Sequence, residues 1–93
     1  MATSKTVGRR RVTFVLRAEP GSEVCVGGTF NDWDASKKPM KETEEGVFQC
    51  VCMIPPGIHE YKFQINGNWC VDPDNPNFCQ NSYGSLNSVV EVS

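Results

Sequence analysis

Three aromatic residues are set among turn formers rather than among apolar neighbours. Trp33 stands near the end of "GGTFNDWD", Trp69 follows "NGN", and Tyr83 lies inside "NSYGS". A flat ring at a loop or strand end suits one of two jobs. It can stack on the apolar C–H face of a sugar, whose hydroxyls then need amide and ammonium partners such as the neighbouring Asn, Gln and Lys side chains. Alternatively it can plug the end of a β-sandwich, with its N–H bonded to a loop carbonyl. The pattern by itself leaves both readings open. Nucleobases also stack on aromatic rings, but that chemistry needs a basic groove along the phosphate path.

Charge argues against such a groove. Residues 1–45 carry eight Lys/Arg and seven Asp/Glu, whereas residues 46–93 carry only Lys62 against Glu60, Asp72, Asp74 and Glu91. Two of the three aromatics therefore lie in a half with a net charge of -3. The run Arg9 to Arg11 is too short to bind nucleic acid and reads as a solvated lead-in to the first strand. A neutral ligand, by contrast, is indifferent to a weakly acidic face.

Catalysis has little to stand on. The only histidine, His59, falls on the apolar parity of its strand and reads as a structural residue. No serine or cysteine is paired with a recognisable base, and no glycine-rich phosphate loop precedes a helix. Asp32 and Asp34 share a turn, where aspartate is favoured for local backbone bonds. "DPDNPN" (Asp72 to Asn77) is oxygen-rich, but as a calcium loop it would need glycine at Asn77 and glutamate at Tyr83. No cofactor, no metal and no catalytic residue is expected.

Ninety-three residues make room for one core, so a single domain is expected, with its core over about residues 12–92 and a flexible stretch over 1–10. No apolar run approaches the roughly 20 residues of a membrane-spanning helix. "MATSKTVGRRR" is followed by no apolar h-region. The five cysteines include no C-x-x-C pair, so zinc-ribbon and thioredoxin-like readings fail. Cys50 and Cys52 share a strand face and read as small buried hydrophobes. A Cys70–Cys79 bridge is conceivable, but reduced thiols in a cytoplasmic protein are the expectation.

The elements that must hold the aromatics are strands. "RVTFVLR" puts Val12, Phe14 and Leu16 on one face, and "EVCVGG" does the same with Val24 and Val26. "GVFQCVCMI" is nearly continuous in apolar residues, as for a strand covered on both faces or close to it. In "IHEYKFQI" His59, Tyr61, Phe63 and Ile65 face one way, and Glu60, Lys62 and Gln64 the other. "NGN" turns this strand into "WCV", and "NSVVEV" closes the chain. Asp72 to Ser85 reads as one long surface loop. Short strands with such turns indicate an all-β sandwich of two antiparallel sheets.

Taken in order, "VCVGGTFNDWD", "GVFQCVCMIPPGIHEYKFQINGNWCVDPDNP" and "NSYGSLNSVVEV" resemble the glycogen-binding carbohydrate-binding modules. Such modules occur on AMP-activated protein kinase β subunits and beside the catalytic domains of isoamylases and branching enzymes. The likeness spans roughly Val12 to Val92 and rests on G-x-F-N-x-W, G-x-H-x-Y-K-F, G-x-W-x-x-D-P and a final G-x-x-N. The resemblance implies an immunoglobulin-like (early-set) β-sandwich that binds α-1,4-linked glucans without cleaving them. It assigns sugar stacking to Trp33 and Trp69, and hydrogen bonding to Lys62 and Asn87. Ser85 matches a hydroxyl position, and Tyr83 stands where some relatives carry an aliphatic residue that inserts into the glucan. A fused enzyme or an associated kinase subunit is the implied partner. Two alternatives stand beside this: a scaffold module that contacts protein, and a fragment of a larger glucan-modifying enzyme.

Overall fold

Alternation decides the architecture. The computed structural model describes residues 8–93. In it the chain runs through β1 (Arg10–Arg17), β2 (Val24–Gly28), β3 (Lys41–Glu44), β4 (Val47–Ile54), β5 (Gly57–Ile65), β6 (Asn68–Cys70), β7 (Phe78–Gln80) and β8 (Leu86–Val92). One sheet has three strands in the order β1-β4-β3; the other has β2-β5-β8-β7, with β6 paired to β5. Every pairing is antiparallel. The two sheets form an immunoglobulin-like β-sandwich. A single 3-10 turn, Ala35–Lys37, is the only helical element among the described residues, and no described helix is long and apolar enough to cross a membrane.

The inward residues are those that the period of two selects. Phe14, Leu16, Phe48, Cys52 and Ile54 of the small sheet meet Val24, Val26, Tyr61, Phe63 and Val92 of the large one. Phe14 is the centre of an aromatic cluster, with its ring centroid 4.8 Å from Tyr61, 5.6 Å from Phe30 and 6.4 Å from Phe63. Such tilted and offset contacts satisfy ring quadrupoles while filling the core.

Some expectations need correction. The first strand opens at Arg10, inside the stretch expected to be flexible; residues 1–7 of that stretch lie outside the described residues. β4 is covered on one face only, because Val51 and Met53 point outward from the small sheet and stay exposed. Among the described residues no layer packs on that side, so a continuous apolar run does not require two covered faces. β3 went unread because "KETE" has no apolar residue; β4 recruits it as an edge strand, with a register shift between Glu42 and Glu44. The long loop after Asp72 contains β7, which pairs Cys79 with Asn87 on β8.

The polar segments are tied down locally. His59 Nε2 donates to the Pro55 carbonyl at 2.9 Å, which leaves Nδ1 to accept from the Thr29 hydroxyl at 3.1 Å. In "DPDNPN", Asp72 accepts the Tyr61 hydroxyl at 2.7 Å and its own chain's Asp74 N–H at 2.9 Å, while its backbone N–H donates to Ser88. Asn75 donates to both Tyr61 and the Val89 carbonyl. Burial, with Asp72 adding to it, pushes the Tyr61 hydroxyl above the ordinary tyrosine range. All five cysteines are free, Cys70 and Cys79 included; Cys50 and Cys52 touch at 3.9 Å between sulfurs on the inward side of β4.

Glu42 closes two turns at once, accepting the Gly46 N–H at 2.9 Å and the Gly21 N–H at 3.0 Å. Those two bonds hold its carboxyl below the ordinary value of 4.5. A depressed folded value means the clamp contributes fully above the ordinary value and is lost as pH falls through the lower one. Thermal unfolding followed from pH 6 down to about pH 3 should therefore fall less steeply for Glu42→Gln than for the parent. An identical acid slope in both proteins would show that Glu42 does not hold the turns.

Candidate functional site

The loop after β2 presents Trp33. Gly28 accepts N–H groups from Asn31 and Trp33 at 3.1 and 2.9 Å, and the Asn31 side chain bonds back to Gly28 N–H and to the Val26 carbonyl. The chain then enters the left-handed region at two consecutive residues, Asp32 (φ 57°) and Trp33 (φ 61°). Aspartate tolerates this region; a tryptophan there is uncommon and is held by the turn around it. Asp34 ends the excursion by accepting the Ser36 N–H, capping the 3-10 turn. Its bonds to the Ser36 hydroxyl and N–H, with Lys37 nearby, keep the carboxyl below the ordinary aspartate range.

Trp69 comes from the other side. The hairpin between β5 and β6 turns through Asn66 (φ 50°) and Gly67 (φ 87°), both positive as a two-residue hairpin loop demands. It sets Trp69 opposite Gln64 and over β2, where a Cβ on Gly27 would lie 2.8 Å from the indole Cη2. The absence of a side chain at Gly27 is what lets the indole lie down on the strand. The two indoles meet edge to face, with centroids 6.2 Å apart and planes at 69°. Trp69 is 43% exposed and Trp33 is half-buried.

Beside the indoles lies an open groove of about 810 Å³ on the outer face of the large sheet. All six residues singled out in the sequence line it: Trp33, Lys62, Trp69, Tyr83, Ser85 and Asn87. Lys62 points outward because Tyr61 and Phe63 on either side are buried; its Nζ donates to Ser85 Oγ at 3.2 Å. Tyr83 is 94% exposed at the tip of the loop before β8. Asn87 differs from the rest: it is only 5% exposed, donating to Glu60 Oε1 at 2.9 Å and accepting from Asn81 at 3.1 Å. Its amide thus braces the groove floor.

The sequence reading missed Glu60, Gln80, Asn81 and Ser82, which also line the groove. Glu60 was readable, since it shares the parity of Lys62. Asn81 was readable only as a turn former, yet it organises the loop: its Oδ1 accepts the N–H groups of Tyr83 and Ser85, and its Nδ2 reaches Ser85 Oγ at 2.8 Å. Asn81→Ala should cost about 1 kcal/mol of stability, the usual net worth of such bonds. It should also speed amide exchange at Tyr83 and Ser85 without changing β5. Unchanged exchange at both amides would show that the loop holds its shape without this side chain.

Residues 11–93 match the family described as the glycogen recognition site of AMP-activated protein kinase. The chain belongs to that family. Among its relatives is the mouse AMP-activated protein kinase subunit beta-1, 32% identical over 91 residues, which cover 98% of this chain and 32% of the mouse protein. A pig beta-1 sequence is 35% identical over 88 residues, covering 95% of this chain and 69% of that one. The chain thus spans about a third of the length of the mouse beta-1, mouse beta-2 and human beta-2 subunits it matches. A solved maltogenic amylase from S. marinus shares the fold, with a TM-score of 0.75 at 22% identity over 92% of this chain and 14% of the amylase. The family match takes in every strand from β2 onward and nearly all of β1.

Proposed function

We propose that this domain binds α-1,4-linked glucans of the glycogen and starch type and does not cleave them. One observation carries the reading: two indoles, 6.2 Å apart, stand beside a groove that also gathers Lys62, Ser85 and Tyr83. Indole faces take the C–H face of successive sugar rings. Lys62 Nζ keeps donors beyond its bond to Ser85, and Ser85 Oγ, accepting from Lys62 and Asn81, still has its own proton to donate. Glu60 and Lys62 are the groove's charged groups, one of each sign, so it suits an uncharged ligand. The family and the kinase relatives support glycogen as the source of the chain, in a parent protein associated with a kinase.

A shallow site that gains mainly from stacking binds weakly, with Kd about micromolar to millimolar. Titration with maltoheptaose and with β-cyclodextrin, followed by calorimetry or tryptophan fluorescence, tests it directly. Saturable binding is expected; folded protein that binds neither sugar refutes the reading. A second reading, a protein-contact module, draws on the outer side of the small sheet, where Val15, Val51 and Met53 are exposed. It predicts a protein partner that competes with neither sugar.

A further inference from the structure

The large sheet runs β2-β5-β8-β7, so β2 and β7 are its outer strands. The β2 edge is covered: Val26 N–H donates to the Lys38 carbonyl, and Met40 N–H to the Val24 carbonyl. The small sheet ends in β1 and β3, which carry Arg10, Arg11 and Arg17 on one side and Lys41, Glu42 and Glu44 on the other. Charges of that kind keep an open edge from pairing with another chain. β7 has neither protection. Asn77 to Asn81 are all uncharged, and among the described residues no hydrogen bond outside the β7–β8 ladder reaches the backbone of Phe78 or Gln80.

The ladder shows which groups face outward. Val89 N–H donates to the Asn77 carbonyl and Asn81 N–H to the Ser85 carbonyl, so Asn77, Cys79 and Asn81 are the positions bonded to β8. Phe78 and Gln80, between them, turn their N–H and C=O groups to the open side. The Phe78 side chain stands opposite Ser88, on the face of the sheet that Ser88 and Tyr61 bury, yet it is 58% exposed and outside the core cluster. Folding thus leaves two unpaired peptide units and an aromatic ring on one uncharged strand.

We infer that β7 is a seam between two copies of this chain, which pair their β7 strands antiparallel about a two-fold axis at Cys79. A second copy fits because an uncharged edge meets its own image without like charges. The chain also fixes the register, in which each Phe78 exchanges both backbone bonds with Gln80 of the second copy. Shifted one way, Gln80 meets Pro76, which has no N–H. Shifted the other way, Phe78 meets Ser82, inside the turn that Gly84 N–H closes on the Asn81 carbonyl. Each Phe78 ring then lies beside Gln80 of the second copy. The axis is perpendicular to the sheet, so the grooves of both copies open on one face. It also sets the two Cys79 residues opposite each other in a non-hydrogen-bonded pair, with Cα atoms about 4.5 Å apart. A disulfide spans that separation, and Cys79 is free.

The seam is short, so the dimer is weak. Sedimentation of the reduced protein from about 10 μM to about 1 mM, a range suited to a small interface, should show the mass rising toward twice the monomer's. Phe78→Lys, a change at an exposed position that should fold, puts like charges at the seam and should stay monomeric. Diamide at alkaline pH then reports the register, since burial and nearby Glu60 push the Cys79 thiol up. It takes the hydrogens of two thiols, is itself reduced to the hydrazine, and leaves one S–S bond. The parent and Cys25→Ser should give a covalent dimer joined Cys79 to Cys79; Cys79→Ser and Phe78→Lys should not. A parent that stays monomeric throughout, a dimer joined through another cysteine, or a Phe78→Lys variant that still dimerises overturns the seam. The dimer locked at Cys79 should bind glycogen about 10- to 100-fold more tightly than Phe78→Lys, because two grooves engage one polysaccharide. Both should bind maltoheptaose alike. Equal glycogen affinities overturn the placement of the grooves on one face. This last arm rests on the glucan reading: if neither form binds either sugar, that reading falls, while mass and cross-link still decide the seam.

Discussion

Replacing Trp69 by alanine should lower affinity for maltoheptaose by about 10- to 100-fold and leave the fold nearly as stable as before. The size follows from stacking, where loss of one aromatic platform under a flat ring costs about 1–3 kcal/mol. The small effect on stability follows from position. Trp69 lies on a three-residue strand at the sheet margin, 43% exposed, outside the buried core cluster. Trp33→Ala should weaken binding to a similar degree, with a larger effect on stability because Trp33 is half-buried and held within the turn from Gly28. A more searching variant removes no contacting group: Gly27→Ala places a Cβ 2.8 Å from the Trp69 ring and must tilt it off the strand. If the groove works as a stacking surface, affinity falls in Gly27→Ala although both indoles remain. Equal affinities in the parent and all three variants would keep the function and move the site elsewhere.

The largest expected loss of stability from a single added carbon is at Gly28. A Cβ there would collide with the Glu60 carbonyl and lie 2.7 Å from Phe30 Cε2 and 2.9 Å from Tyr61 Cβ. None of these can retreat cheaply. The Glu60 carbonyl is fixed by the Thr29 N–H at 2.9 Å, and Gly28 is paired with Tyr61 across β2 and β5. Phe30 folds back over this bare backbone to reach Phe14. Forcing extra volume into such a place costs about 1–3 kcal/mol, and here the upper end. For a domain of this size that is a fall in Tm on the order of 10 °C. Gly67→Ala is the control, because Gly67 has φ 87° but nothing within 4 Å of a new Cβ. Its cost is the left-handed backbone alone, about 1 kcal/mol. Comparable melting temperatures for the two variants would refute the packing argument at Gly28.

These expectations separate what could be read from the chain from what could not. Lys62 was legible because alternation is a local property: with Tyr61 and Phe63 inward, Lys62 has to be outward, and so does Glu60. The β5–β6 hairpin was legible because Asn66–Gly67 takes positive φ at both positions more readily than other pairs. The role of Asn87 was not legible. Parity puts it on the groove side, but Glu60 and Asn81 close over its amide, and those contacts come from two other parts of the chain.

The strands followed the same division. β1, β2 and β5 declare themselves by apolar alternation, and the valines of "NSVVEV" mark β8. β3 does not, since its "KETE" sequence becomes a strand only because β4 offers it an unpaired edge. β7 lies in a segment rich in turn formers and exists through its pairing with β8. The apolar run of β4 misled in the opposite sense, because whether its outward face is covered depends on whether another layer lies there.

By itself, then, the sequence determined the all-β class, the inward side chains of β1, β2 and β5, the turns at Asn31–Asp32 and Asn66–Gly67, and the family motifs, since each depends on neighbours a few residues apart. Only the tertiary structure decided that Trp33, Lys62, Trp69, Tyr83, Ser85 and Asn87 share one groove. They are supplied by two loops and by β5, β6 and β8, brought together by cross-strand hydrogen bonds and by the indole that lies on Gly27. Contacts between residues so distant in the chain are set by the packing of whole sheets, which no local pattern encodes.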